Sequence, residues 1–169
     1  MRELCDSLAA GILKICEANN TKIACAESLT GGLLADAFVR IPGASNVLLG
    51  SAVTYDINAK ASILHVDKAL LDREGAVHPE VARQMAVGTA RLYSQPEYGD
   101  RIIGLGPDGD KPAGLVYVGL RIPASLTPDH AEVLKAVELH LDGMREEVRR
   151  LTVFHVLQNL SLFTASFKE

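Results

Sequence analysis

Cysteine is scarce in this chain and poorly spaced for structural use. Cys5, Cys16 and Cys25 are odd in number and lack metal-ligand spacing, which argues against both a disulfide framework and a zinc site. The five histidines are scattered, with no His-Glu-x-x-His or comparable cluster, so no catalytic metal is expected. Positive charge is not in excess either: 17 Lys and Arg against 21 Asp and Glu give a net charge of −4 and no footprint for nucleic acid or an anionic membrane. A local basic cluster, Arg145, Arg149 and Arg150, is mixed with Glu146 and Glu147 and reads as a solvated helix face with one functional member. No apolar run approaches bilayer length and no charged leader precedes a signal-type apolar block. The expected compartment is the cytoplasm, with no membrane partner.

What is present is ordinary for a globular protein, with 48% hydrophobic and 22% charged residues in 169, enough for one domain spanning 1–169 with a substantial core. Leu4, Leu8, Ile12 and Ile15 recur at helical spacing up to Asn19-Asn20. A strand over 22–26 leads into a glycine junction, and the helix after it stops at Pro42-Gly43. Further strands are predicted over 47–55, 101–105, 115–122 and 133–141, and helices over 58–64, from Pro79, and from 142 to the end. Gly106 to Pro112 reads as a turn. The interleaving implies a sheet covered by helices on both faces.

The junction Ala26-Glu27-Ser28-Leu29-Thr30-Gly31-Gly32 is the most informative stretch. It sets two hydroxyls and two glycines where a strand enters a helix, and the unpaired N–H groups of a helix start stabilise an anion or a developing oxyanion. A phosphate cradle and a serine nucleophile with an oxyanion hole both fit, as does a plain Thr30 N-cap with glycines for tight packing. A serine needs a base, and with no histidine nearby Lys60 is the available one, provided its environment depresses its pKa. Tyr55, at a strand end, has a hydroxyl to donate to the same cleft; Arg145, after a Gly turn, offers bidentate phosphate recognition. Packing at the rim for Tyr55 and an ion pair with Glu146 or Glu147 for Arg145 are the plainer roles. Gly104-Leu105-Gly106-Pro107-Asp108-Gly109 matches the dinucleotide fingerprint by letter, but no helix opens on it, and Rossmann-type binding is rejected.

Taken together, these residues resemble the CinA C-terminal domain family, whose stand-alone members are nicotinamide-nucleotide amidases. The resemblance runs through Ala26 to Leu34, Ile41 to Ser45, Leu49 to Tyr55, Asn58-Ala59-Lys60, Gly75-Ala76-Val77 and Glu80-Val81-Ala82. Lys111-Pro112-x-Gly114-x-Val116-Tyr117 and Gly143-x-Arg145-x-x-Val148-Arg149 complete it. It implies a three-layer α/β/α sandwich with a mixed sheet, and deamidation of nicotinamide mononucleotide to nicotinate mononucleotide and ammonia. It also implies Ser28 as nucleophile, Lys60 as general base and Tyr55 and Arg145 as assisting groups, with no cofactor. The molybdopterin-binding-like half of full-length CinA proteins has no counterpart here. Leu29 replaces a cysteine of the family pattern and Met144 an aspartate. A third departure matters more: a family segment Thr-Gly-x-Ala-Gly-Pro, with an active-site threonine, is about six residues shorter here, because Leu105 runs straight into Gly106-Pro107. Either the chain lacks that loop or residues are missing between Leu105 and Gly106.

The expected function is therefore an amidohydrolase acting on a small nucleotide substrate, with N–H groups near Thr30, Gly31 and Gly32 holding the oxyanion. The alternative is a catalytically silent nucleotide-binding or regulatory module that keeps the cradle without the threonine loop. A homo-oligomer, by preference a dimer, is also expected. Val153, Phe154, Val156, Leu157, Leu160, Leu162, Phe163 and Phe167 encircle the last helix more widely than one core contact covers.

Overall fold

The computed structural model of the protein describes residues 1–165. Five strands form one sheet: β1 (Lys22–Glu27), β2 (Leu48–Val53), β3 (Ile102–Gly109), β4 (Leu115–Ile122) and β5 (Val133–His140), in the order β2-β1-β3-β4-β5. β1 runs parallel to β2 and β3, while β3–β4 and β4–β5 are antiparallel, so the sheet is mixed. Six helices flank it: α1 (Arg2–Ala18), α2 (Leu33–Val39), α3 (Ile57–Leu64), α4 (Lys68–Glu74), α5 (Pro79–Leu92) and α6 (Arg145–Ala165). The architecture is a three-layer α/β/α sandwich.

Strand alternation divides the core into two chemically different faces. Ile23 and Cys25 of β1, Ile103 and Leu105 of β3, and Val116, Val118, Leu120 and Ile122 of β4 pack under α1, α2 and α6. On the opposite face Ala24, Ala26, Gly104, Gly106 and Gly119 leave room for α5 to lie directly on the sheet. A Cβ on Gly104 would stand 2.0 Å from the Ala86 carbonyl oxygen, and one on Gly119 would stand 1.9 Å from that of Ala82. The Thr89 hydroxyl closes the contact by donating to the Cys25 carbonyl at 2.7 Å. The α5 start is fixed by Pro79 and by His78, whose Nδ1 accepts from the Glu80 N–H.

Two expectations need correction. Gly106 to Gly109 is not turn but the second half of β3, paired with β4 from Gly104↔Arg121 to Gly109↔Val116. Cross-strand hydrogen bonding prevails over the turn tendency of Gly-Pro-Asp-Gly there, and no inserted loop interrupts the strand at Leu105-Gly106. The first helix buries Cys5, Ala9, Ile12, Leu13 and Cys16, with Leu4 exposed, so its apolar stripe is rotated from the one centred on Leu4. α6 buries Val153, Val156, Leu157 and Leu160 inside its own domain, with Phe154 and Phe163 packed on the same core. Leu162 is exposed, and Phe167 lies outside the described residues. The helix α4 was not anticipated at all.

Because the Gly119 contact is with main chain, no side chain can move aside. Gly119→Ala should destabilise the domain by about 3 kcal/mol, measured as a fall in the denaturation midpoint at unchanged slope.

Candidate active site

Parallel pairing of β1 and β3 is what assembles the site. Cys25 pairs with Leu105, and three residues further along each strand lie Ser28 and Asp108, at the carboxyl ends where open α/β sheets place their ligands. Both continue the α5-facing side of the sheet. Lys60 reaches them from α3, whose first turn is capped by Asp56 accepting from the Ala59 N–H. The Lys60 side chain is 0% exposed. Its Nζ lies 3.0 Å from Ser28 Oγ and donates to the carbonyls of Thr54 at 2.5 Å and Tyr55 at 3.3 Å.

Two carbonyls and one hydroxyl thus satisfy the three hydrogens of a charged amine. They equally leave a neutral amine with two N–H groups placed and its lone pair toward Ser28. Burial pushes the Lys60 pKa below its ordinary value, against the opposing pull of Asp108 and Asp56. Asp108, 2% exposed, brings Oδ2 to 3.9 Å from Lys60 Nζ. Burial raises its carboxyl pKa, while Lys60, the Ser28 hydroxyl and the Gly109 N–H favour the charged form.

Glu27, fully buried, decides how the glycine junction is used. Its Oε1 accepts from the N–H groups of Gly32 (3.1 Å) and Leu34 (2.8 Å), and its Oε2 from Ala35 N–H (3.2 Å) and the Ser51 hydroxyl (2.7 Å). The N-terminus of α2 is therefore occupied by the protein's own carboxylate. Gly31 N–H donates to the Ser28 carbonyl, so neither glycine N–H is free for an oxyanion, contrary to the sequence expectation. Thr30 does not cap α2; Gly32 holds the cap position with φ 108° and the Thr30 hydroxyl is buried without a partner among the described residues. The N–H groups of Leu29 and Thr30 likewise make no hydrogen bond to described residues. Arg149 braces the turn from α6, with Nε donating to the Leu29 carbonyl at 2.7 Å. Its guanidinium lies 3.2 Å from where a Gly31 Cβ would be, at a residue whose φ is already +55°.

Arg145 is joined to Tyr55, but not as an unpaired cation. It donates to Asp110 Oδ2 at 2.8 Å and to the Tyr55 hydroxyl at 3.0 Å, and Tyr55 itself is 65% exposed at the rim. Neither Glu146 nor Glu147 is its partner. Ser28, Tyr55, Lys60, Asp108 and Lys111 line one open cleft of about 350 Å³. Lys111 has no hydrogen-bond or ion-pair partner among the described residues. The sequence reading assigned nothing to Glu27, Asp108 or Lys111. Asp108 was findable by counting residues past the parallel strands, had Gly106 to Gly109 been taken as strand. Among the described residues no group of three or more His, Cys, Asp or Glu is placed to hold a metal, and no helix is long and apolar enough to cross a membrane.

The profile of the CinA C-terminal domain matches residues 5–163. The chain belongs to the CinA C-terminal domain family. A competence-damage inducible protein of Clostridium novyi is 42% identical over 144 residues, 83% of this chain and 33% of that protein. One from Caldanaerobacter subterraneus is 39% identical over 148 residues, covering 85% and 34%. This CinA C-terminal domain thus spans about a third of the length of those relatives. The crystal structure of the competence/damage inducible protein CihA from Agrobacterium tumefaciens superposes with TM-score 0.76 at 29% identity, covering 95% of each chain. A CinA superfamily protein from Klebsiella pneumoniae, at 21% identity and TM-score 0.77 over 95% of this chain and 98% of its own, shares the fold. The family includes amidases.

Glu27→Gln keeps the shape of the cap but turns an N–H2 toward one pair of its donors. It should cost about 2 kcal/mol of stability, read by chemical denaturation alongside wild type.

Proposed function

We propose that this domain is an amidohydrolase that deamidates nicotinamide mononucleotide to nicotinate mononucleotide and ammonia. The observation that carries the reading is the buried contact of Lys60 Nζ with Ser28 Oγ at 3.0 Å, with the other amine hydrogens held by backbone carbonyls. Neutral Lys60 takes the Ser28 proton as Oγ bonds to the carboxamide carbon and the carbonyl electron pair moves onto oxygen. The Leu29 and Thr30 N–H groups, which make no hydrogen bond to described residues, are the donors for that oxyanion; Gly31 and Gly32 have other partners. Collapse of the intermediate breaks the C–N bond as Lys60 returns the proton to nitrogen, and ammonia leaves. Water, with Lys60 again as base, then hydrolyses the Ser28 ester.

For the phosphate, Lys111 is the cation of the cleft without a partner among the described residues. Arg145 offers only the edge of a guanidinium already shared between Asp110 and Tyr55, which gives it the lesser share of phosphate binding. Lys111→Ala should raise KM for nicotinamide mononucleotide about tenfold and leave that for nicotinamide riboside unchanged. Equal effects on both substrates would move the phosphate elsewhere.

Ammonia release from nicotinamide mononucleotide tests the whole reading. Ser28→Ala should lower turnover by about 10³-fold or more, and Lys60→Arg should be nearly as damaging because guanidinium stays protonated. A wild-type protein that binds the nucleotide but releases no ammonia is the silent module. The base must be neutral, so kcat/KM should rise with pH through the lowered Lys60 pKa and fall below it. A profile flat from acid to alkaline pH would remove Lys60 from the role.

A further inference from the structure

Asp108 is a buried carboxylate at the reaction centre for which the two-residue mechanism has no use. Its Oδ2 is enclosed yet has no hydrogen-bond partner among the described residues, while a fully enclosed lysine stands 3.9 Å away. A buried acceptor left unpaired is costly and needs an account. So does the site of a proton transfer that turns a neutral amine into an enclosed ammonium.

We propose that Asp108 is a positioning residue for the Ser28–Lys60 pair, its carboxylate serving as the counter-anion of the ammonium that Lys60 becomes when it takes the Ser28 proton. This rests on the amidase reading of the same cleft. In the acylation step the Ser28 O–H bond breaks, an N–H bond forms on Lys60, and positive charge appears on Nζ inside the protein while negative charge appears on the carboxamide oxygen. The oxyanion has backbone donors within reach; the ammonium has carbonyl dipoles and, among the described residues, one buried anion within 4 Å, Asp108. No external oxidant, metal or further proton carrier enters. The carboxylate gives up nothing and receives nothing, and acts by charge alone, as the buried aspartate of a serine–histidine triad steadies its imidazolium.

The arrangement is specific to position. Asp56 also acts on Lys60 electrostatically, but it caps α3 and faces solvent. Glu74 and Lys111 line the outer cleft, and Arg145 is matched to Asp110. Among the described acidic residues, Asp108 is the one that faces both Lys60 and Ser28 below the surface.

The test uses Asp108→Asn, with Asp108→Thr as a second variant of neutral charge. Loss of the anion should lower kcat for ammonia release at least tenfold with KM within about twofold, and should move the rising limb of the pH profile toward acid by at least half a pH unit. The shift follows because Asp108 raises the Lys60 pKa in wild type. Lysine NMR reads the same displacement directly at Nζ without substrate, so an inactive wild type would defeat the amidase reading while leaving this inference testable. In wild type the Asp108 carboxyl carbon should also shift over the pH interval in which Lys60 titrates, an observation that needs no variant to fold. A reduced rate with an unmoved limb and an unmoved Lys60 titration would make Asp108 merely structural and overturn the proposal. An Asp108 signal flat across the Lys60 titration would do the same.

Discussion

The Glu27 carboxylate is the interaction on which the rest of the site depends. A helix start at the end of a strand leaves N–H groups without partners, and here three of them, with the Ser51 hydroxyl, converge on one buried side chain. The four contacts tie β1 to α2 and to β2. Ser28 is the next residue, so its backbone is fixed on one side by this cap and on the other by the Gly31 N–H to its carbonyl. The same cap closes the helix N-terminus to external anions. The phosphate-cradle reading of the glycines thereby loses its donors, whereas a nucleophile presented beside a turn whose Leu29 and Thr30 N–H groups make no hydrogen bond to described residues remains compatible with every contact.

The second constraint is the closeness of α5. Glycine at 104, 106 and 119, with Ala24 and Ala26, lets a helix backbone lie on the sheet at carbonyl contact. Larger residues would lift α5, and with it α3, whose Leu64 carbonyl would stand 2.1 Å from a Cβ on Gly88. Lys60 sits one helical turn before that contact. Packing at α5 therefore sets the 3.0 Å between Nζ and Oγ, and a shift of about 1 Å would be enough to lose most of the proposed proton transfer.

The layered fold and most elements were legible because alternation in strands such as Leu115–Ile122 and the Pro79 helix start are local signals. The family resemblance pointed to Ser28, Lys60, Tyr55 and Arg145, and the structure brings Ser28 to Lys60 and Tyr55 to Arg145. Their chemical roles are a separate matter that contact alone does not decide. What was illegible depends on partners distant in sequence. Gly106-Pro107-Asp108-Gly109 has every local mark of a turn and becomes strand only because β4 pairs with it. The availability of Gly31 and Gly32 N–H groups was misjudged because a glutamate conducts the capping from inside the preceding strand, where caps are not sought. The α6 surface looked too apolar for one domain until α1 and α2 covered it.

The end of β3 then accounts for the charge pattern of the cleft. Asp108 faces the lysine of α3 and Asp110 faces the arginine of α6, so one strand end supplies the counter-charge for a cation from each helical layer. Asp110 also accepts from the Gly114 N–H, which fixes the turn that carries Lys111. With Lys60 and Arg145 each matched to an aspartate, the cleft cation without a partner among the described residues is Lys111, on the outer wall and apart from the Ser28–Lys60 pair. A substrate that carries its anion at one end and its neutral carboxamide at the other suits that division. An anion placed at the inner end would meet Asp108 and would compete for Lys60. In the proposed amidase reaction the same repulsion would act on the carboxylate product, so a charge that steadies the Lys60 ammonium would also favour departure of the acid.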